Sequence, residues 1–363
     1  MSRFDRQIVL KGFGQKAQQK LQSSSVLVVG AGGLGCPALQ YLAAAGVGRI
    51  GIIDGDLVSE SNLNRQILFG ESDTGLKKAE IAAKKLNAQY SDLKVDIYPE
   101  FLTTQNAIET IENYDIVLDG SDNFGTRYML NDACQLLKKP LVLGAIYQYE
   151  GQLMVLMEGE HQVNYRDLYP DPPAANEIPN CNESGVLGVL PGIIGTMQAA
   201  EVIMILSGLG SRLSGQVLFY DLRNYNSFKM NIEKQAVLSN KTPKSIQEFK
   251  QWEYEINCHL VNEISWGKAL TISKASNSIL IDLREEEEAP KLSGHEYLKM
   301  PLSVINIECE EIASAENIIL FCQSGARSSN FASKLTSNSG KNIYSIKGGI
   351  LSEESPVNKE NHG

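Results

Sequence analysis

Val26-Leu27-Val28-Val29-Gly30-Ala31-Gly32-Gly33-Leu34-Gly35 decides the fold: an apolar strand turns through glycines into the start of a helix. Such a turn lets backbone N–H groups and the positive end of the helix approach phosphate closely, so it predicts a nucleotide held at a strand end. The next apolar strand, Ile50-Gly51-Ile52-Ile53, ends on Asp54, whose carboxylate suits a ribose hydroxyl. These two features alone fit a dinucleotide as well as ATP. Ser61-Asn62-Leu63-Asn64-Arg65-Gln66 shifts the balance, because Asn62 and the fixed cation of Arg65 fall close to the ribose position and favour a polyphosphate. ATP is therefore the expected nucleotide.

Outward from this turn, short apolar strands at Val26–Val29, Arg49–Ile53, Lys94–Tyr98, Ile116–Leu118 and Leu141–Leu143 alternate with helical stretches such as Pro37–Ala45 and Lys77–Ala88. That is the pattern of a Rossmann-like, doubly wound, mainly parallel α/β sheet. After the segment Gly151–Met157, Pro191–Ser207 reads as an apolar helix whose main charge is Glu201, and Gln216–Arg223 and Phe228–Ile232 as strands of an antiparallel extension. A first domain over 1–233 is expected, then a polar linker over 234–245. A smaller α/β domain over 246–352 follows, with strands at Ile279–Leu283, Ile318–Phe321 and Ile343–Ile346, and a polar, loose tail over 353–363.

A chain of 363 residues is long enough for two domains, and its net charge of −10 argues against a nucleic-acid surface. No uninterrupted stretch of about 18 apolar residues occurs and the N-terminal residues are charged, so neither a membrane span nor secretion is expected, and cytoplasm is the default. The six cysteines (36, 134, 181, 258, 309 and 322) form no C-x-x-C pair, so any reactive one acts singly.

Asp119-Gly120-Ser121-Asp122-Asn123 closes the fourth strand, and ligands bind at the carboxyl ends of parallel strands. Asp122 is thus the expected Mg²⁺ ligand. Adenylating a carboxylate drives out pyrophosphate, which needs cations over the β- and γ-phosphates; Arg65, Lys78 and Arg6 fit that need, with Lys77 competing with Lys78.

Residues 1–233 resemble the E1-like adenylyltransferases that activate ubiquitin-like sulfur carriers, the MoeB/ThiF/HesA family. The resemblance rests on Phe4-Asp5-Arg6-Gln7-Ile8, Gly30 to Cys36, Asp54-Gly55-Asp56, Ser61 to Gln66, Lys78 with Glu80, Asp122-Asn123 with Arg127, Cys181 to Leu187, and Gly195 to Ala199. It implies nucleotide contacts at Gly30, Gly32, Gly33, Gly35, Asp54, Asp56, Asn62, Arg65, Lys78, Asp122 and Asn123. It also implies Mg²⁺ on Asp122 and an Arg6 that crosses a homodimer into the neighbouring site. Cys181 falls on what resembles the family's crossover loop, where a thiol can take the activated acyl group or stand idle. Many members hold a structural zinc with two C-x-x-C pairs. Here Asn164-Tyr165-Arg166-Asp167 occupies the first position and no cysteine follows Lys229 until Cys258, so no zinc tetrathiolate is expected.

In the C-terminal part, Phe321-Cys322-Gln323-Ser324-Gly325-Ala326-Arg327-Ser328 joins an apolar strand to a helix. Backbone N–H groups at a helix start together with an arginine stabilise a sulfur anion. The segment resembles the active-site loop of rhodanese sulfurtransferases; Ile281-Asp282-Leu283-Arg284 with Glu288 and Ile346-Lys347-Gly348-Gly349 resemble their flanking motifs. This implies Cys322 as a persulfide carrier, with Gly325 and Arg327 shaping its loop. The aromatic residue often found after the glycine pair is missing.

Together these readings predict adenylation of the C-terminal Gly of a small carrier ending in Gly-Gly. Sulfur from a Cys322 persulfide, loaded by a donor such as a cysteine desulfurase, then gives a thiocarboxylate for molybdopterin or thiamine synthesis. The alternatives are activation of a small-molecule or tRNA-borne carboxylate, a nicotinamide-dependent oxidoreductase, and a binding module with decayed sites.

Overall fold

The computed structural model describes residues 3–157, 162–173, 185–211, 213–235, 242–254, 262–275, 277–303, 305, 310–325, 327–329, 331, 332, 335, 341–352 and 354–359. Described residues up to 172 and from 185 to 254 form one compact unit, and those from 262 onward belong to a second.

The first unit is built on β1 (Ser25–Val29), β2 (Arg49–Ile53), β3 (Lys94–Tyr98), β4 (Ile116–Asp119), β5 (Leu141–Tyr147), β6 (Glu150–Leu156), β7 (Gln216–Asp221) and β8 (Asn226–Asn231). They lie in the order β3-β2-β1-β4-β5-β6-β7-β8. The first five are parallel and the last three run antiparallel, as the sequence pattern predicts. In β1 the side chains alternate between two cores. Val26 and Val28 pack on one face with helices Gly35–Ala45, Lys78–Gln89 and Val189–Ser207, while Leu27 and Val29 pack on the other with Ala107–Ile111 and Phe124–Leu137. Each fully buried Val, Leu or Ile contributes about 1.5–3 kcal/mol.

The register sets the position of the site. Val29 of β1 pairs with Ile53 of β2 on one side and Asp119 of β4 on the other, so Gly30, Asp54 and Gly120 follow at one level of the sheet. Strand order reverses between β1 and β4, which opens a crevice at that edge.

Helix Val189–Ser207 starts two residues earlier than the stretch from Pro191 that reads as a helix in the sequence, and it is long and apolar enough to cross a membrane, with a mean hydropathy of 1.7 over an 18-residue window. Leu190, Ile194, Gln198, Ala199 and Val202 bury one side of it, and a Cβ on Gly195 would meet the Leu34 carbonyl at 2.2 Å, so this is a core helix pressed against the glycine turn.

Among its described residues the second unit has five parallel strands: β9 (Asn262–Ile264), β10 (Ser278–Asp282), β11 (Leu298–Lys299), β12 (Asn317–Phe321) and β13 (Asn342–Ile346), ordered β11-β10-β12-β13-β9. The two edge strands, β9 and β11, are too short and polar to show as periodic runs. Two boundaries move. Residues 246–254 belong to the first unit, because Phe249 sits in its core and the Tyr254 hydroxyl donates to Asp132 at 2.8 Å. The predicted tail is in part ordered: Ser355 is buried, and Pro356–Lys359 is helical with Val357 against the core.

Candidate active site

At the β1–β4 crevice the glycines are there for backbone approach. A Cβ on Gly30 would meet the Gly120 carbonyl at 2.8 Å, and one on Gly35 the Gly30 carbonyl at 1.9 Å. The turn therefore closes tightly enough for Gly35 to start its helix directly at the strand end. Asp54 is spent partly on this turn: Oδ2 accepts from Ala31 N at 2.7 Å and Oδ1 from Asp56 N at 2.8 Å. Each oxygen keeps a lone pair for a ribose hydroxyl. Burial raises the pKa of this carboxyl, and the Lys78 charge opposes the rise.

The two lysines differ in their partners. Lys77 Nζ donates to the Gly55 carbonyl at 3.1 Å and to that of Pro99 at 3.5 Å, bracing β2 against β3. Lys78 is buried, and its Nζ lies 2.9 Å from Asp56 Oδ2, whose side chain is 55% exposed. Arg65 has no acidic partner among the described residues; Nη1 donates to Ser61 O and Asn64 Oδ1, both at 3.0 Å. Its stem lies 3.5 Å from where a Cβ on Gly33 would be, which puts the guanidinium stalk against the turn. Asn62 sits in the short helical turn Glu60–Asn62 that leads to it.

Asp122 and Asn123 are exposed at the end of β4. Asn123 caps helix Phe124–Leu137, accepting from Thr126 N at 2.8 Å. Mg²⁺ usually takes one or two carboxylates plus phosphate oxygens, and the exposed Asp122 carboxylate beside the glycine turn fits that donor set.

Several residues that the sequence pattern does not single out complete the crevice. Asp119 is fully buried; its Oδ1 accepts from Ser121 N and Oγ at 2.9 and 2.6 Å, while Oδ2 has no partner. Burial raises its pKa, and the Arg127 charge works against this. Gln198, on the apolar helix, donates from Nε2 to the Asp119 carbonyl at 2.6 Å, and Gln66 is buried with Oε1 unpartnered. The ring of Phe101, 63% exposed, lies 2.7 Å from where a Cβ on Gly55 would stand. A glycine between two aspartates at a strand end was the available signal for that close approach.

Arg6 is not brought to this crevice. It lies on helix Asp5–Ile8, which is fixed at the opposite edge of the sheet by Gln7 Nε2 donating to Gln18 Oε1 at 2.8 Å and by the Phe4 ring against Gly46, just before β2 begins. Cys181 falls outside the described residues. Cys36 directly follows the turn and is buried, with its thiol pushed up to about 12 by desolvation, so it is inert.

At the position expected to lack zinc, side chains form a polar network. Arg166 Nε and Nη2 donate to both oxygens of Asp132 at 3.0 and 2.8 Å, the Tyr165 amide donates to Asn131 Oδ1 at 2.6 Å, and Asn164 and Asp167 cap each other. Gln235 N reaches Asp167 Oδ1 at 2.9 Å.

In the second unit Cys322 is buried at the end of β12. The Ser328 amide donates to its Sγ at 3.4 Å, and Cys322 helps to raise the Arg327 pKa, after the Glu288 hydrogen bond. Glu288 grips Arg327 with both oxygens, at 2.7 and 2.5 Å. Gly325 has φ +89°, and a Cβ there would meet Gly348 N at 2.9 Å; a Cβ on Gly349 would meet the Cys322 carbonyl at 2.4 Å. The glycine pair is thus the floor of the thiol loop. Arg284 is buried in a two-pronged pair with Asp282, its Nη1 donating to the Pro290 carbonyl at 2.6 Å, which fixes the segment carrying Glu288.

Residues 4–241 match the ThiF family, and the chain belongs to it. Over 238 residues it is 47% identical to a "Sulfur carrier protein adenylyltransferase" of Thermus thermophilus, covering 64% of this chain and 88% of that protein. Over 369 residues it is 34% identical to a "Probable adenylyltransferase/sulfurtransferase MoeZ" of Mycobacterium tuberculosis, covering 97% of this chain and 92% of that one. The crystal structure of E. coli MccB with ATP superposes with a TM-score of 0.57 at 21% identity, covering 66% of this chain and 74% of that one, which supports the fold of the first unit.

Proposed function

We propose that this chain adenylates the C-terminal Gly carboxylate of a small ubiquitin-like sulfur carrier and then supplies sulfur to it from a persulfide on Cys322. One observation carries the reading. The same chain holds Lys78, Arg65 and an exposed Asp122 around a phosphate-cradling turn and, separately, a buried thiol that accepts from the Ser328 amide in a loop whose Arg327 is held by Glu288. One relative named for both activities and another named for carrier adenylation support it.

ATP lies with its phosphates on the Gly30–Gly35 turn, its ribose on Asp54 and its base toward Phe101. The carrier carboxylate attacks the α-phosphorus, and the bond to the β-phosphate oxygen breaks as pyrophosphate leaves. Arg65 and Lys78 neutralise the charge that gathers on the leaving group. Lys78 is free to do so once phosphate competes with Asp56 for its ammonium. A Mg²⁺ ion on Asp122 would neutralise further phosphate charge. The buried Asp119, Gln198 and Gln66 hold the crevice walls in place.

Cys322 thiolate takes a sulfur atom from an external persulfide donor, displacing the donor's thiolate. The terminal sulfur then attacks the acyl carbon and AMP leaves, giving an acyl disulfide. A second thiol, either Cys181 or an external one, attacks the Cys322 sulfur, forming a disulfide and releasing the carrier thiocarboxylate. Arg6, at the wrong edge of its own sheet, serves the crevice of a second copy in a homodimer. Helix Val189–Ser207, buried along only one side, offers apolar surface for that pairing. The site works without structural zinc, and the setting is cytoplasmic.

The test is ATP–pyrophosphate exchange with Mg²⁺ and purified carriers of the molybdopterin and thiamine types. Exchange with one of them, abolished by Asp122→Ala, is the expected result and selects the pathway. Exchange with neither carrier overturns the reading.

A further inference from the structure

We infer that Ile246–Tyr254 is an anchor that fixes where the sulfurtransferase unit is tethered, placing the root of the tether at the mouth of the adenylation crevice. This rests on the function proposed above. Tyr254 is the last residue of the first unit. Its carbonyl oxygen lies 2.5 Å from where a Cβ on Gly125 would be, and Asn123 Oδ1 lies 3.7 Å from that same point. The chain therefore leaves the first unit against the first turn of helix Phe124–Leu137, beside Asn123 and its neighbour Asp122.

The segment is held there from three directions. The Tyr254 hydroxyl donates to Asp132 at 2.8 Å, the Phe249 ring is buried and packs 5.6 Å from that of Tyr254, and the Lys250 carbonyl accepts from Gln105 Nε2 at 2.9 Å. Gln105 follows β3 by a few residues and so belongs to the loop that carries Phe101. The anchor thus bridges the loops after β3 and β4, the two that flank the nucleotide. Such contacts are more than a polar linker needs, and Gly125 is a glycine where only a glycine admits the Tyr254 carbonyl.

The chemistry gives the anchor a purpose. An acyl adenylate is attacked by water as well as by sulfur, so yield depends on the local concentration of the persulfide. A tether rooted at the crevice raises that concentration, and each doubling of a tether's length lowers it roughly threefold. Ile246–Tyr254 is therefore a positioning element and touches no reacting atom.

The test uses the full chain and two alterations, a Gln105→Ala, Tyr254→Phe double variant and a ten-residue Gly-Ser insertion after Tyr254 that leaves every anchor contact in place. Three rates are read: ATP–pyrophosphate exchange, thiosulfate-to-cyanide sulfur transfer by Cys322, and thiocarboxylate formation on the carrier with dithiothreitol as the final thiol. Both alterations are expected to leave the first two rates within about twofold and to slow the third about threefold. Millimolar hydrosulfide, which needs no tether, is expected to erase the difference; a distorted crevice would not be rescued in this way. Parental rates of thiocarboxylate formation in both altered chains overturn the anchor while leaving the proposed function standing. A parental chain with no exchange or no thiocarboxylate overturns the function and the anchor with it.

Discussion

Glu288 holds Arg327 through both carboxylate oxygens, at 2.7 and 2.5 Å, and Arg327 in turn belongs to the loop of Cys322. The Arg327 hydrogen bond keeps the Glu288 carboxyl down at about 2, below its ordinary 4.5. A lowered carboxyl adds stability that is fully present above pH 4.5 and is lost as pH falls toward 2. Glu288→Gln removes the charge but keeps the shape. It is expected to slow thiosulfate-to-cyanide transfer about tenfold, as a loosened Arg327 stabilises the sulfur anion less well. It should also flatten the pH dependence of the second unit's unfolding below pH 4.5. An unchanged acid limb would show that the pair contributes nothing.

The two adjacent lysines give a sharper contrast. Lys77 Nζ is engaged by the carbonyls of Gly55 and Pro99, whereas Lys78 Nζ rests on an exposed carboxylate that phosphate can displace. Lys78→Ala is expected to lower ATP–pyrophosphate exchange by about 100-fold or more, the cost of one preorganised cation in the transition state. Lys77→Ala, which loosens only the bracing of β2 on β3, is expected to cost about tenfold or less. Equal losses in the two variants would place both ammonium groups on the phosphates.

Gly35 tests the crevice backbone. An alanine methyl there would stand 1.9 Å from the Gly30 carbonyl, a backbone atom that cannot step aside. Gly35→Ala is expected to destabilise the first unit by about 3 kcal/mol through overpacking. ATP binding should disappear with it. Isothermal titration and thermal unfolding together check this, and a folded variant with parental ATP affinity would contradict it.

Much of this was legible because it is local. Strands Arg49–Ile53 and Lys94–Tyr98 appear in the structure with the bounds that their apolar pattern marks. The turn from Gly30 to Gly35 carries its own geometry in its glycines. What was illegible depends on distant partners. Ile246–Tyr254 joins the first unit because Tyr254 meets Asp132, 122 residues earlier, and nothing in its own periodicity announces that. Gln198 reads as an odd amide in an apolar helix until the Asp119 carbonyl is placed beside it. The position of Arg6 at the far edge of the sheet likewise follows from packing of Phe4 on Gly46, not from motif order.

The Asp132–Arg166 pair bears on metal dependence. Both side chains are almost completely buried, and the pair ties helix Phe124–Leu137 to the turn at Tyr165–Leu168, where relatives of this fold were expected to carry cysteines. Removing one partner leaves an uncompensated buried charge, so Arg166→Ala is expected to cost about 3–5 kcal/mol. A chelator such as EDTA should leave the unfolding temperature of the parental chain unchanged. A fall in that temperature, with about one zinc per chain released, would show that a metal is bound after all.

Arg6 offers the most decisive prediction about assembly. It is exposed on helix Asp5–Ile8 at the edge where β2 begins, whereas Asp122 lies at the edge where β4 ends. A side chain so placed can serve an adenylation crevice only in a second copy. Arg6→Ala and Asp122→Ala chains, each inactive alone in ATP–pyrophosphate exchange, are therefore expected to complement when mixed. In a twofold dimer formed at random from both chains, half of the pairs are mixed and each has one intact site, so recovery approaches about a quarter of parental exchange. If Arg6 acts within its own chain, no mixed dimer contains an intact site and the mixture stays inactive.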